Sequence, residues 1–251
     1  MSAVVIIPAR WDSSRFPGKP LYEIAGKPLL RHVWERCCRA RKIDTTVIAT
    51  DDMRIAEAAF VWGAEVALTS AKHQSGTDRI AEVAKRSKKF SIIVNVQGDE
   101  PLVNPRLIDR FVETLWTNPD VGIVTAAHRF SDARDALSPH QVKVVIDRAG
   151  NALYFSRAPI PASRNTEGSR SLFLRHQGIY GFRRATLLQL VQWKPRPLER
   201  CESLEQLRAL ENGVRVHVLV TKHGSPGVDT PADAHAIAAS LRDYNLRRPC
   251  R

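Results

Sequence analysis

Apolar positions recur along this chain with two periods, and the first half switches between them in a regular way. Val4–Ile7 is a β-branched run that stops at Pro8, which predicts a buried first strand followed by a loop. Leu29, Leu30, Val33, Trp34 and Cys37 fall at helical spacing, so Pro28 should open an amphipathic helix reaching about Ala40. Thr45–Thr50 reads as a second strand ending at Asp51-Asp52. Met53–Trp62 follows as a helix, stopped by Gly63. Glu65–Leu68 is a third short strand, Asp78–Lys85 a helix after Ser75-Gly76, Ser91–Val96 a strongly apolar strand and Pro105–Trp116 the next helix. This alternation predicts an α/β fold with a mostly parallel twisted sheet and helices on both faces. In such sheets ligands sit beyond the carboxyl ends of the strands. The polar loops 8–19, 50–52, 72–77 and 97–101 all follow strands and should meet on one rim.

The second half is more mixed. Gly122–Ala127, Val142–Ile146, Ala152–Ser156, Gly178–Phe182 and Arg215–Val220 have strand patterns. Asp147-Arg148-Ala149-Gly150-Asn151 is a hairpin-turn signal between two of them. Pro197 to Asn212 reads as one helix, with Pro in its first turn and Gly213 just past its end. Pro231–Leu241 is a last helix with Thr230 as its N-cap. No repeat or linker divides the chain, so one α/β domain over residues 1–251 with an inserted antiparallel portion is the simplest organisation.

Composition narrows the class. With 43% hydrophobic and 25% charged residues in 251, the chain can bury a core without staples. No apolar run has the length of a membrane span, and Val4–Ile7 is too short for a signal-peptide core, so a cytoplasmic protein without a membrane partner is expected. Cys37, Cys38, Cys201 and Cys250 show no C-x-x-C or zinc spacing, which favours reduced thiols. The net charge is +12, and residues 8–42 hold nine Lys/Arg against three acids. Such a balance suits nucleic acid, an acidic surface or an anionic substrate. No aromatic-basic motif or recognition-helix signature accompanies it, so specific nucleic-acid binding is not expected.

Two segments carry candidate chemistry. The loop after the first strand holds Arg10, Ser14, Arg15, Gly18 and Lys19. Guanidinium forks and an ammonium suit a triphosphate, and Gly18 lets the backbone come close to a ligand. The loop matches neither the P-loop nor the dinucleotide fingerprint. Asp99, after the strand SIIVNV, and Asp229, before the last helix, are acids placed where Mg²⁺ would meet phosphates. Asp229 is equally suited to a helix N-terminus.

The motifs IPARWDSSRFPGKPL, HQSGTDR, VNVQGDEPL, ALYFSRAPIP, LRHQGIYGF, ESLEQLR and GVDTP, in this order over nearly the whole chain, resemble the 3-deoxy-manno-octulosonate (KDO) cytidylyltransferases, the CMP-KDO synthetases. The first and third are shared with the wider nucleotidyltransferase group. HQSGTDR, ALYFSRAPIP and LEQLR are more specific. Pro161 is followed by Ala162-Ser163 where the family usually has an aromatic and a polar residue.

The resemblance implies a nucleotide-diphospho-sugar transferase-like fold and the reaction CTP + KDO → CMP-KDO + pyrophosphate, used in lipopolysaccharide biosynthesis. It implies a nucleotide-binding half at about 1–125, a sugar-acid-binding and dimerisation portion at about 126–225, and a return of 226–251 to the main sheet. Ala9, Arg10, Ser14, Arg15 and Lys19 would bind CTP, with Ser75 and Gly76 at its base or ribose. Asp99 and Asp229 would hold Mg²⁺. Arg10 and Lys19 would stabilise the triphosphate and the leaving pyrophosphate. Gln97, Arg157, Arg164, His176, Tyr180, Glu205 and Gln206 would surround the sugar acid. A homodimer is usual in such enzymes. Structural readings stay open beside these: Tyr180 as a core strand residue, His176 as a satisfied structural histidine, and Glu205 and Gln206 as the exposed face of a helix whose apolar stripe is Leu198, Cys201, Leu204 and Leu207. Related acceptors (8-amino-KDO, sialic acid) and a non-catalytic basic nucleic-acid-binding protein are the rival functions.

Overall fold

The structure, a computed structural model, describes residues 2–12, 16–162 and 173–247. Two compact units emerge: Met1–Val112 with Ser225–Arg251, and Glu113–Gly224.

The first unit is built on β1 (Ala3–Ala9), every residue of which is buried. A hairpin of β2 (Glu23–Ile24) and β3 (Lys27–Pro28) leads into α1 (Leu29–Cys37). Then follow β4 (Thr45–Thr50), α2 (Met53–Val61), β5 (Glu65–Leu68), α3 (Gly76–Arg86), β6 (Ile92–Asn95) and α4 (Pro105–Thr117). The strands lie in the order β6-β1-β4-β5 and all pair in parallel. A strand with both faces covered needs the continuous apolar run that AVVIIPA supplies. The chain steps from β1 outward to β4 and β5, then crosses to the other side of β1 for β6. The switch point therefore lies beside β1, beyond the carboxyl ends of β1 and β6. The last helix, α8 (Pro231–Arg247), rejoins this unit. Thr230 caps it as predicted: its Oγ1 accepts from the Asp233 amide (3.2 Å), and the Thr230 amide donates to Asp233 Oδ2 (2.8 Å). Val228, Ala234, Ile237 and Leu241 bury against Phe16, Ile24 and Leu29, so the end of the chain is tied to the segment around Lys19.

The second unit holds β7 (Ile123–Arg129), β8 (Lys143–Ile146), β9 (Ala152–Ser156), β10 (Leu174–Arg183), α5 (Arg184–Leu190), α6 (Pro197–Glu202), α7 (Gln206–Glu211) and β11 (Val216–Thr221). β11 pairs with β7 in parallel, while β7–β10, β10–β8 and β8–β9 are antiparallel. The hairpin turn falls where the sequence placed it. The Asp147 amide donates to the Asn151 carbonyl (2.8 Å), and Gly150 takes φ 82°.

Two expectations need correcting here. The strand read as Gly178–Phe182 begins at Leu174, because Leu174 and Arg175 are held between β7 and β8 and His176 pairs with β7 in spite of its polarity. The helix read as Pro197–Asn212 is two helices. Ser203 between them adopts the left-handed conformation (φ 52°, ψ 48°), which costs a non-glycine residue about 1–2 kcal/mol. Of the proposed apolar stripe, Leu204 and Leu207 are buried, but Leu198 and Cys201 are exposed, because the turn rotates α6 away from the face that α7 buries.

Candidate active site

Three loops of the first unit meet at Pro8. A Cβ built on Gly98 would lie 3.0 Å from the Pro8 carbonyl oxygen, and one on Gly76 would lie 3.2 Å from Pro8 Cγ. Small residues are therefore required where the QGDE and SGTDR segments cross the first strand's exit. The loop after β1 is closed on itself. The Gly18 amide donates to the Trp11 carbonyl (3.2 Å), Gly18 takes φ 71°, and the Arg54 guanidinium lies 3.6 Å from the Trp11 ring centroid. Lys19 follows directly, its backbone fixed in a short 3₁₀ turn.

Lys19 joins the two predicted acids. Its Nζ donates to Asp99 Oδ2 at 2.6 Å and to the Val228 carbonyl at 2.9 Å, and lies 3.7 Å from Asp229 Oδ1. The Val228 amide donates to the Asp99 carbonyl (2.9 Å), so the backbones carrying the two carboxylates are bonded directly. Two carboxylates thus gather around one ammonium. Hard oxygen donors of this kind suit Mg²⁺, which takes few protein ligands and completes its shell with water and phosphate. Among the described residues no group of three or more His, Cys, Asp or Glu is assembled for a metal.

Ala9 ends β1 and is buried, and Arg10 emerges beside it. Burial and then the nearby Arg79 guanidinium lower the Arg10 pKa, with Asp51 and Asp78 opposing them; the group remains a cation. Among the described residues its Nη2 is buried without a hydrogen-bond partner, a donor in want of an acceptor. Ser75 caps α3: its hydroxyl accepts from the Asp78 amide (3.1 Å) and donates to Asp78 Oδ2 (2.9 Å). Gln97 sits by Gly76 at the end of β6. Ser14, Arg15 and Arg164 lie outside the described residues.

Sequence reasoning missed Arg79. This side chain is fully buried on α3, 3.0 Å from Asp51 and donating to Thr69 Oγ1 (2.6 Å), with Nε left without a partner among the described residues. It fixes the ends of β4 and β5 next to Arg10. The available signal was a lone arginine on the apolar face of a helix that also carries Ile80, Val83 and Ala84.

In the second unit His176 lies in an aromatic setting, 5.0 Å from Phe155 and 5.5 Å from Tyr180 by ring centroids, and Tyr180 stacks on Phe182. Thr125 Oγ1 shares its hydrogen between the carbonyls of Gln177 (3.1 Å) and Ile179 (2.8 Å) across the bulge in β10. It therefore accepts from His176 Nε2 at 3.0 Å, which makes Nε2 the protonated nitrogen and leaves Nδ1 as an acceptor. Burial lowers the His176 pKa to about 3, so the ring is neutral. Glu205 immediately precedes α7 and Gln206 begins it, Gln206 buried and Glu205 partly exposed, so the reading of both as an exposed face does not hold. Arg157 donates to main-chain carbonyls through all three nitrogens: Glu202 (2.7 Å), Pro139 (3.1 Å) and Ser203 (3.4 Å).

Comparison with known proteins matches residues 4–216 to the cytidylyltransferase family model. The 3-deoxy-manno-octulosonate cytidylyltransferase of Geobacter sulfurreducens is 48% identical over 96% of this chain and all of its own length. That of Solibacter usitatus is 49% identical over 93% of this chain and 92% of its own. The chain belongs to the 3-deoxy-manno-octulosonate cytidylyltransferase family. A solved CMP:2-keto-3-deoxy-manno-octonic acid synthetase, complexed with CTP, superposes with a TM-score of 0.93 at 39% identity, covering 97% of this chain and all of that one. The nucleotidyltransferase fold expected from the resemblance, a mostly parallel sheet with helices, is thereby established for this family member. A cytidylyltransferase from Leptospira borgpetersenii, 18% identical with a TM-score of 0.65, shares the fold.

Proposed function

We propose that this chain activates 3-deoxy-manno-octulosonate with CTP, releasing pyrophosphate and forming the CMP-sugar. The observation that carries the reaction is the full-length likeness to octulosonate cytidylyltransferases. The Lys19–Asp99–Asp229 junction is what supports the mechanism.

The triphosphate lies across the exit of β1, against Arg10 and Lys19, with Ser14 and Arg15 of the same loop as further contacts. Arg10 brings a buried Nη2 that has no partner among the described residues, and a phosphate oxygen is the acceptor that guanidinium geometry favours. Ala9, Ser75 and Gly76 line the base and ribose. Asp99 and Asp229 would hold Mg²⁺, which when bound would supply neutralisation of the phosphates and acidification of a hydroxyl. Lys19, tied to both acids, spreads its charge toward the departing pyrophosphate. Attack is in line, by the anomeric hydroxyl on the α-phosphorus. Gln97, Tyr180, Glu205, Gln206 and the Nδ1 acceptor of neutral His176 read hydroxyls, and Arg157 and Arg164 belong to the sugar-acid side.

The product serves lipopolysaccharide synthesis in the cytoplasm, and the working form is a homodimer. Among the described residues no helix is long and apolar enough to cross a membrane. The test is pyrophosphate release from CTP with Mg²⁺ and a panel of KDO, 8-amino-KDO and sialic acid. KDO-dependent release is expected. Release without an acceptor, or a clear preference for another acid, overturns the assignment. Sedimentation velocity reports the dimer.

A further inference from the structure

The break at Ser203 is held from outside its own helix. Arg157 Nε and Nη2 donate to the carbonyls of Glu202 and Ser203, the two residues at the turn. The Glu202 carboxylate reaches back to the end of β9. Oε1 accepts from Ser156 Oγ at 2.6 Å, and Oε2 accepts from the Arg157 amide at 2.9 Å. Beneath them lies Lys143, the first residue of β8 and fully buried. Its Nζ donates to the carbonyls of Ser138 (3.0 Å), Gln141 (2.6 Å) and Arg157. Arg157 Nη1 closes the ring by donating to Pro139, on the loop that Lys143 holds.

A buried ammonium, a partly buried carboxylate and a guanidinium spent on backbone carbonyls are costly to assemble. Nothing in the proposed chemistry calls on Lys143 or Glu202. What the network determines is local geometry. It holds a non-glycine residue in the left-handed conformation, and the next residues but one are Glu205, at the N-cap of α7, and Gln206, its first residue. Without the turn, α6 and α7 would run on as the single helix that the sequence favours, and these two side chains would rotate to other directions.

We propose that Lys143, Glu202 and Arg157 are positioning residues that hold the turn at Ser203 and thereby present Glu205 and Gln206 to the polyhydroxy acid substrate. This rests on the reading of Glu205 and Gln206 as contacts to that substrate, so the experiment separates the two.

Steady-state pyrophosphate release, with CTP and KDO varied in turn, is measured for Lys143→Met, Glu202→Gln, Glu205→Gln and Gln206→Ala. Loss of a charge-assisted contact predicts a KM for KDO raised about tenfold in Lys143→Met and Glu202→Gln, with the KM for CTP unchanged. Two further readouts separate positioning from general destabilisation. In the double variant Glu202→Gln/Glu205→Gln the effects on KM should be less than additive, because both act through one contact. Ser203→Gly, which relaxes the left-handed residue, should restore much of the KDO affinity of Glu202→Gln. If Lys143→Met does not fold, Glu202→Gln and its Ser203→Gly rescue carry the test alone. Should Glu205→Gln or Gln206→Ala raise the KM for KDO while Glu202→Gln leaves it unchanged, or raises both KM values alike, the positioning role is refuted and the contact reading survives. Should Glu205→Gln and Gln206→Ala both leave that KM unchanged, the contact reading fails and the proposal falls with it.

Discussion

Gly98→Ala isolates how closely the acid at the end of β6 must approach the first strand's exit. Gly98 lies outside the left-handed region, so alanine fits the backbone and only space is tested. The new methyl would lie 3.0 Å from the Pro8 carbonyl oxygen, 3.4 Å from Leu30 Cδ1 and 3.7 Å from Ile7 Cγ2. Carbon–oxygen contacts ordinarily settle at about 3.3–3.6 Å, so the loop must retreat by about 0.3–0.6 Å. The obstacle is backbone and cannot swing aside. Overpacking of this kind costs about 1–3 kcal/mol, and in a unit of this size each kcal/mol lowers Tm by roughly 2–4 °C. Asp99 is the next residue, so the same retreat moves its carboxylate relative to Lys19 and Asp229. If a 1 Å displacement costs about a hundredfold in rate, half of that costs about tenfold. Gly227→Ala is the control: among the described residues its methyl meets only the Asp99 carbonyl, at 3.9 Å, so stability should change by less than about 0.5 kcal/mol and Tm by less than about 2 °C. Thermal unfolding and KDO-dependent pyrophosphate release are measured side by side. If Gly98→Ala matches Gly227→Ala in both, the close approach has no bearing on the site and the reasoning is wrong.

Three further outcomes follow from the same geometry. Asp99→Asn keeps the shape of the side chain but not its charge, and Mg²⁺-dependent turnover should fall by about 10²–10⁴; a wild-type rate over an Mg²⁺ titration would falsify the metal role. His176 has a folded pKa lowered to about 3 against about 6.5 unfolded, so the unfolded chain binds the extra proton between these values. Stability should be fully present above about pH 6.5 and decline as pH falls toward 3, and urea midpoints should show a shallower decline for His176→Gln; an identical slope refutes the assignment. Glu199 grips the buried Arg208 through two hydrogen bonds (2.7 and 2.5 Å), so Glu199→Ala should cost about 3–5 kcal/mol in urea unfolding, whereas Glu199→Leu/Arg208→Met should recover most of it.

Periodicity and turn chemistry along the chain were enough to place β1, β4, β5, the 147–151 turn and the cap at Thr230, because these depend on neighbours a few residues apart. The motifs carried further: they marked the loop holding Lys19, the acids Asp99 and Asp229, and the family to which the comparisons assign the chain. Three features were decided only in three dimensions. Lys19 meets Asp99 across 80 residues and Val228 across 209, and no local pattern states that these backbones are bonded to one another. Arg79 is buried because Asp51 and Thr69 arrive from other elements to satisfy it. The helix read over 197–212 breaks because Arg157, from a strand end some 45 residues earlier, takes the carbonyls of Glu202 and Ser203. Local propensity in that stretch favours one continuous helix, and charge-assisted bonds from a distant segment outweigh the modest cost of one left-handed residue.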